Sequence, residues 1–184
     1  MKKGVIIFII AALVVIGGLP YLFFLYAFSA TSQPFARADV FSDFTILSRT
    51  DIRQGSPEVL YNWDTHGGFH GDGDWLAILR YQDDSLLRAM EESSEWKPLP
   101  LPETLRKSPG YLPSFPQDAE LDVADKQTLL SAEHGYWFFL DRHRSKDNTN
   151  PYDLSKFLTR YSENFTLAVY DVDSRLLYIM EMDT

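Results

Sequence analysis

The sequence contains no cysteine, and that absence removes several kinds of protein at once. Without thiols there is no disulfide, no thiolate nucleophile, no cysteine-built zinc site and no lipid-attachment cysteine behind a leader, so stability must come from an ordinary apolar core. Basic charge is scarce too. Lys and Arg number 17 against 26 Asp and Glu, a formal net charge of −9. No basic cluster interrupts this acidity, and nucleic acid binding depends on neutralising phosphates, so nucleic acid is not expected as a partner. No serine sits in a Gly-x-Ser-x-Gly elbow, which leaves acyl transfer without a visible nucleophile. Alternating βαβ units are missing, and with them the setting of a Rossmann-type nucleotide site.

Charge is missing altogether from Gly4 to Phe28. About 20 apolar residues cross the ~30 Å hydrocarbon core of a bilayer, and backbone amides in lipid must bond within the segment. The run therefore reads as a transmembrane helix, bent near Gly17, Gly18 and Pro20. Lys2 and Lys3 precede it, and basic residues stay on the cytoplasmic side, so the remainder of the chain is expected outside. Tyr21, Phe23, Phe24, Tyr26 and Phe28 crowd the far end, where aromatic rings favour the outer interface. Ala27 and Ser29 offer the small side chains of a signal-peptidase site. The run is nevertheless longer than the ~7–15 residues of a signal h-region, which favours a retained anchor over a cleaved one. Either way the domain is exported.

The expected organisation is a membrane anchor over residues 1–30, a linker over 31–38 containing Pro34, and an extracytoplasmic domain over 39–184 of a single-pass membrane protein. Two of the basic residues precede position 31, so the exported part carries 15 basic against 26 acidic side chains, a balance of −11. That charge disfavours flat adhesion to anionic lipid heads. Its aromatic content is too high for a disordered tail.

Within the domain, Val40–Ile52 fits either a helix turn or a first strand. Glu58–Asp64 and Trp75–Tyr81 read as two strands of a hairpin, rich in aromatic and branched residues. On the second of them, Trp75, Ala77, Leu79 and Tyr81 share one face, with Leu76, Ile78 and Arg80 on the other. Asp83 or Asp84 can cap a following helix with Leu86, Leu87 and Met90 as its apolar stripe. Six of the ten prolines fall between residues 98 and 116, making a stiff surface connection with room for one helical turn near Glu103–Lys107. Leu121–Ala132 is read as a helix capped by Asp122 in preference to a strand. Tyr136–Leu140 is a continuous apolar run expected in mid-sheet, far more a core segment than a ligand platform. A polar loop over Ser145–Pro151 and a brief helix over Leu154–Tyr161 follow. Phe165–Tyr170 and Leu176–Met182 form the clearest hairpin, turning at Asp171–Arg175. The fold class expected is α+β, a mostly antiparallel sheet with one or two helices on one face.

One stretch is chemically unusual. Asp64 to Trp75 concentrates His66, His70, Asp64, Asp72, Asp74 and Phe69 among four glycines. Glycine lets a ligand approach backbone closely, while imidazole and carboxylate bind metals or move protons. His66 and His70 have the spacing that shares a face on a helix, but the glycines forbid a helix here; a curled loop with Asp72 or Asp64 is the remaining route to a metal site. Asp72-Gly73-Asp74 lacks the other ligands of an EF-hand. The bland reading is a wide hairpin connection whose polar side chains bond its own backbone. His134 and His143 flank the Tyr136 strand at opposite ends and read as solvated. Asp83/Asp84 and Glu91/Glu92 read as a cap and a wet helix face, and the Asn164-Phe165-Thr166 sequon as chance.

In the Asp64–Trp75 loop, in Gly135-Tyr136-Trp137-Phe138-Phe139-Leu140-Asp141-Arg142 and in Asn164-Phe165-Thr166-Leu167-Ala168-Val169-Tyr170-Asp171, the chain resembles a group of small membrane-anchored bacterial proteins without assigned activity. The resemblance covers most of residues 55–184 and implies an exported α+β domain, with no mechanism attached. The leading expectation is thus a tethered binding module for an envelope protein or small ligand, without cofactor. The alternative is a metal-assisted hydrolase or metal sensor using His66, His70 and Asp72.

Overall fold

The computed structural model describes Tyr21 and residues 39–67, 72–117, 123–143, 150–157, 159 and 161–184. Except for Tyr21, the expected membrane anchor and linker lie outside the described residues, as do Phe69, His70, Asp122 and most of the 145–151 loop. Among the described residues, no helix is long and apolar enough to cross a membrane.

The frame is one six-stranded sheet: β1 (Glu58–Asp64), β2 (Gly73–Arg80), β3 (Lys97–Pro98), β4 (Gly135–Asp141), β5 (Asn164–Asp171) and β6 (Leu176–Asp183). Their order is β1-β2-β6-β5-β4-β3, and every neighbouring pair is antiparallel. Both hairpins expected from sequence are present, β1–β2 and β5–β6. Asp171 makes the second turn: its carboxylate accepts from the Asp173 amide at 3.1 Å and the Ser174 hydroxyl at 2.6 Å, while Arg175 takes the left-handed φ of 56°.

The sheet is covered on both faces, which corrects the expectation of helices on one face. Trp75, Leu76, Ala77, Ile78 and Leu79 of β2 are all buried; a strand apolar at consecutive positions has two faces to cover. One cluster joins Leu76, Ile78, Leu167, Tyr178 and Met180 to Leu105 of α3 (Glu103–Arg106), to Phe115, and to Leu129 and Leu130 of α4 (Lys126–Leu130). The other joins Trp75, Ala77, Leu79, Ala168 and Ile179 to Phe44 of α1 (Val40–Ser48) and to Leu86 and Met90 of α2 (Ser85–Glu91).

Local details refine the remaining expectations. Val40–Ser48 is helix rather than strand, because Asp39 accepts from the amides of Phe41 (3.0 Å) and Ser42 (2.9 Å). Hydrogen bonds from Ser42 hold the Asp39 carboxyl down at about 2. Asp83 rather than Asp84 accepts from the Ser85 amide at the start of α2. Helix α4 is short and capped by Asp125, which accepts from the Thr128 amide at 2.8 Å. The segment read as a brief helix contains one 3-10 turn, Leu154–Lys156. β4 is not mid-sheet: its outer neighbour is the two-residue β3, paired only with Tyr136 and Trp137. A continuous apolar run reports covered faces, here Trp137 and Phe139 on one side and Phe138 on the other, and says nothing of covered edges.

Candidate functional site

The unusual loop leaves β1 at Asp64, whose side chain is 2% exposed and lies on the Trp75 face of the sheet. The ladder runs one step further, with the Thr65 amide donating to the Asp74 carbonyl at 2.8 Å and the Asp74 amide donating to the Thr65 hydroxyl at 2.7 Å. The chain then curls back, because the His66 amide donates to Asp64 Oδ1 at 2.8 Å. That turn places His66 Nδ1 2.6 Å from the same oxygen. On its other side, His66 Nε2 stands 3.1 Å from Asp183 Oδ2.

Asp183 belongs to β6, with β2 lying between it and β1. The imidazole crosses β2 at Gly73, the residue paired with Asp183. A Cβ at position 73 would lie 2.6 Å from the His66 nitrogen and 2.8 Å from its Cα, closer than real atoms approach, so only glycine leaves room for the crossing. From the far side comes Arg142, just beyond β4, with Nη2 2.8 Å from Asp183 Oδ1 and Nη1 3.0 Å from Asp183 Oδ2. Its guanidinium also donates to the Phe165 carbonyl at 3.1 Å. Next along the strands, buried Thr166 donates to buried Glu181 at 3.1 Å. The apolar row of this face therefore ends in a polar network tying β1, β6, β5 and the end of β4 together.

The network alternates in charge, with the imidazole between two carboxylates and the guanidinium on the far side of the second. Each ring nitrogen of His66 faces a carboxylate, and an imidazole donates from both nitrogens only when protonated. Asp183, and then Asp64, accordingly raise the His66 pKa above its ordinary value, outweighing the opposing effect of burial. Burial alone would raise Asp183, but His66 and Arg142 bring its carboxyl below the ordinary value. A metal taking either nitrogen would have to displace the carboxylate that faces it.

The other expected site residues separate. Asp72 is exposed. Asp74 falls one position from Gly73 and so faces the opposite side of the sheet, half-buried, with burial raising its carboxyl. Phe69 and His70 lie outside the described residues, so the His66, His70 and Asp72 set is described only in part. Among the described residues, no group of three or more His, Asp or Glu is arranged to hold a metal. His134 is exposed at the opposite end of β4 from His143, with Nδ1 2.9 Å from Asp173, which raises its pKa. Asp183 and Arg142 were not legible as site residues, and Gly73 was legible only as one of the loop's glycines; the one signal for Asp183 was hairpin register, which pairs it with Asn164 once the turn at Asp171 is placed. Compared with protein-family models, with curated proteins and with solved structures, the chain matches none of them. Function has to be read from geometry and chemistry alone.

Proposed function

We propose that this chain is a non-enzymatic binding module, tethered to the outer face of a cell membrane by residues 4–28, that offers the β1–β2 connection to an envelope protein or small ligand. The observation that carries this reading is the anchoring of His66 to both Asp64 and Asp183. It fixes the base of the connection to the central strands while Asp72 stays exposed. A recognition loop rising from a rigid base loses less freedom on binding. The charge-free leader and the acidity of the remainder support the placement outside the cell.

The test uses the full chain in mild detergent to capture partners from envelope extracts, beside an Asp72→Lys variant with unchanged thermal unfolding. Specific capture that the variant weakens at least ~10-fold supports the loop as the binding face, since rim charges set complementarity. Failure to capture, or capture indifferent to the variant, contradicts it. Stoichiometric zinc or manganese in the purified chain, together with metal-dependent thermal stabilisation, would instead favour the metal-using alternative.

A further inference from the structure

On the face of the β1–β2 hairpin opposite His66 lies a cleft of about 220 Å³, lined by Tyr61, Trp63, Asp74, Leu76 and Phe115 among others. Trp63 is 46% exposed on an edge strand, a large ring left in water beside a sheet that buries most of its aromatics. Phe115 is fixed, stacked on Tyr178 with ring centroids 5.9 Å apart. The Asp74 backbone is bonded to Thr65, but among the described residues no hydrogen bond or ion pair reaches its carboxylate. Lys126 attracts this carboxylate and lies 6.0 Å over the Phe115 ring, but it donates its hydrogen bonds to the carbonyls of Leu112 (2.7 Å) and Pro109 (3.3 Å).

We propose that this cleft binds an organic ammonium group, with Asp74 as counter-ion, Trp63 and Tyr61 supplying aromatic faces, and Phe115 closing one side. A half-buried carboxylate to which no described residue donates a hydrogen bond gains more from a charged donor than from a hydroxyl. Ring faces attract cations, best when water is displaced. The exported part's balance of −11 favours a cation's approach. Burial lifts the Asp74 carboxyl above its ordinary value, a cost that a bound cation relieves. The volume is below the ~300–1,000 Å³ of pockets that engulf a whole drug-sized ligand, so it suits an ammonium with a short alkyl stem.

The inference deepens the binding-module reading and rests on it, yet the two fail separately, because capture depends on Asp72 and ammonium binding on Asp74. The experiment titrates butylammonium into the full chain in detergent and follows the indole N–H signals by NMR, the Trp63 signal being the one lost in Trp63→Phe. A saturable shift at Trp63, at least ~10-fold weaker in Asp74→Asn with the other indole signals unmoved, is the expected result, tenfold being ~1.4 kcal/mol. Butanol, the neutral analogue, needs no variant and is expected not to saturate. The inference is overturned if Trp63 does not respond, if Asp74→Asn binds as well, or if butanol or glucose binds as tightly. A capped lysine amide distinguishes the sources: affinity equal to butylammonium supports a lysine-bearing partner, and weaker affinity supports a free amine.

Discussion

At the scale of single residues, the structure turns on an imidazole that reaches across a neighbouring strand. His66 was legible as unusual, but its partner Asp183 lies 117 positions away in sequence, and nothing local announces a contact that depends on β2 and β6 being paired. The pH dependence has a definite sign. His66 is raised above 6.5, so its contribution to stability is complete below that value and is lost as pH rises through the folded pKa. Asp183 is lowered below 3.8, so its contribution is present above that value and is lost as pH falls through the folded pKa. The network is thus strongest between the two. His66→Gln is expected to lower the unfolding free energy near pH 6 by about 1–3 kcal/mol, the cost of leaving buried polar partners unsatisfied. The gap between wild type and variant should close as pH rises; denaturant titrations showing a constant gap from about pH 5 to about pH 9 would refute the assignment. Gly73→Ala tests the crossing itself. Overpacking against the His66 backbone should cost about 1–3 kcal/mol, read as a lower urea midpoint with unchanged slope.

At the scale of elements, the hairpins were the legible parts because their signals are local; of the caps, Asp83 was among those expected, whereas Asp39 and Asp125 were not. Asp171-Val172-Asp173-Ser174-Arg175 has the short side chains that make a turn, and it makes one. The placement of β4 was not legible, since its apolar run is equally suited to centre or edge and β3 is only two residues long. Gly135 opens β4 at φ +136°, where a Cβ would collide with the Tyr170 carbonyl oxygen. Gly135→Ala should cost at least about 2 kcal/mol, combining a strained backbone with a clash, and chemical denaturation measures it. A second element-scale test concerns α1, which packs through Phe44. Its ring meets Phe138 at 5.7 Å and Trp96 at 6.1 Å, both edge-on. Phe44→Ala should destabilise the domain by about 3–5 kcal/mol, the usual cost of emptying a phenylalanine site in a core. A loss under about 1 kcal/mol would mean that α1 is not integral to the fold.

At the scale of the whole molecule, an antiparallel sheet carries a core on each face, and one hairpin end divides its polar side chains between the two. His66 and Asp64 turn inward to the network, while Asp74 and Trp63 turn to the cleft. The α+β class was readable from element order. Coverage on both faces was readable in principle from the unbroken Trp75-Leu76-Ala77-Ile78-Leu79 run, but its alternating environment masks the point until the layers are seen. The placement of this domain outside the cell is the claim on which the proposed function depends, and the absence of native cysteine makes it directly measurable. Asp72→Cys puts a single thiol at an exposed position on the proposed binding loop. Intact cells expressing that variant should be labelled by a membrane-impermeant maleimide as fully as lysed cells; labelling that appears only after lysis would contradict the account.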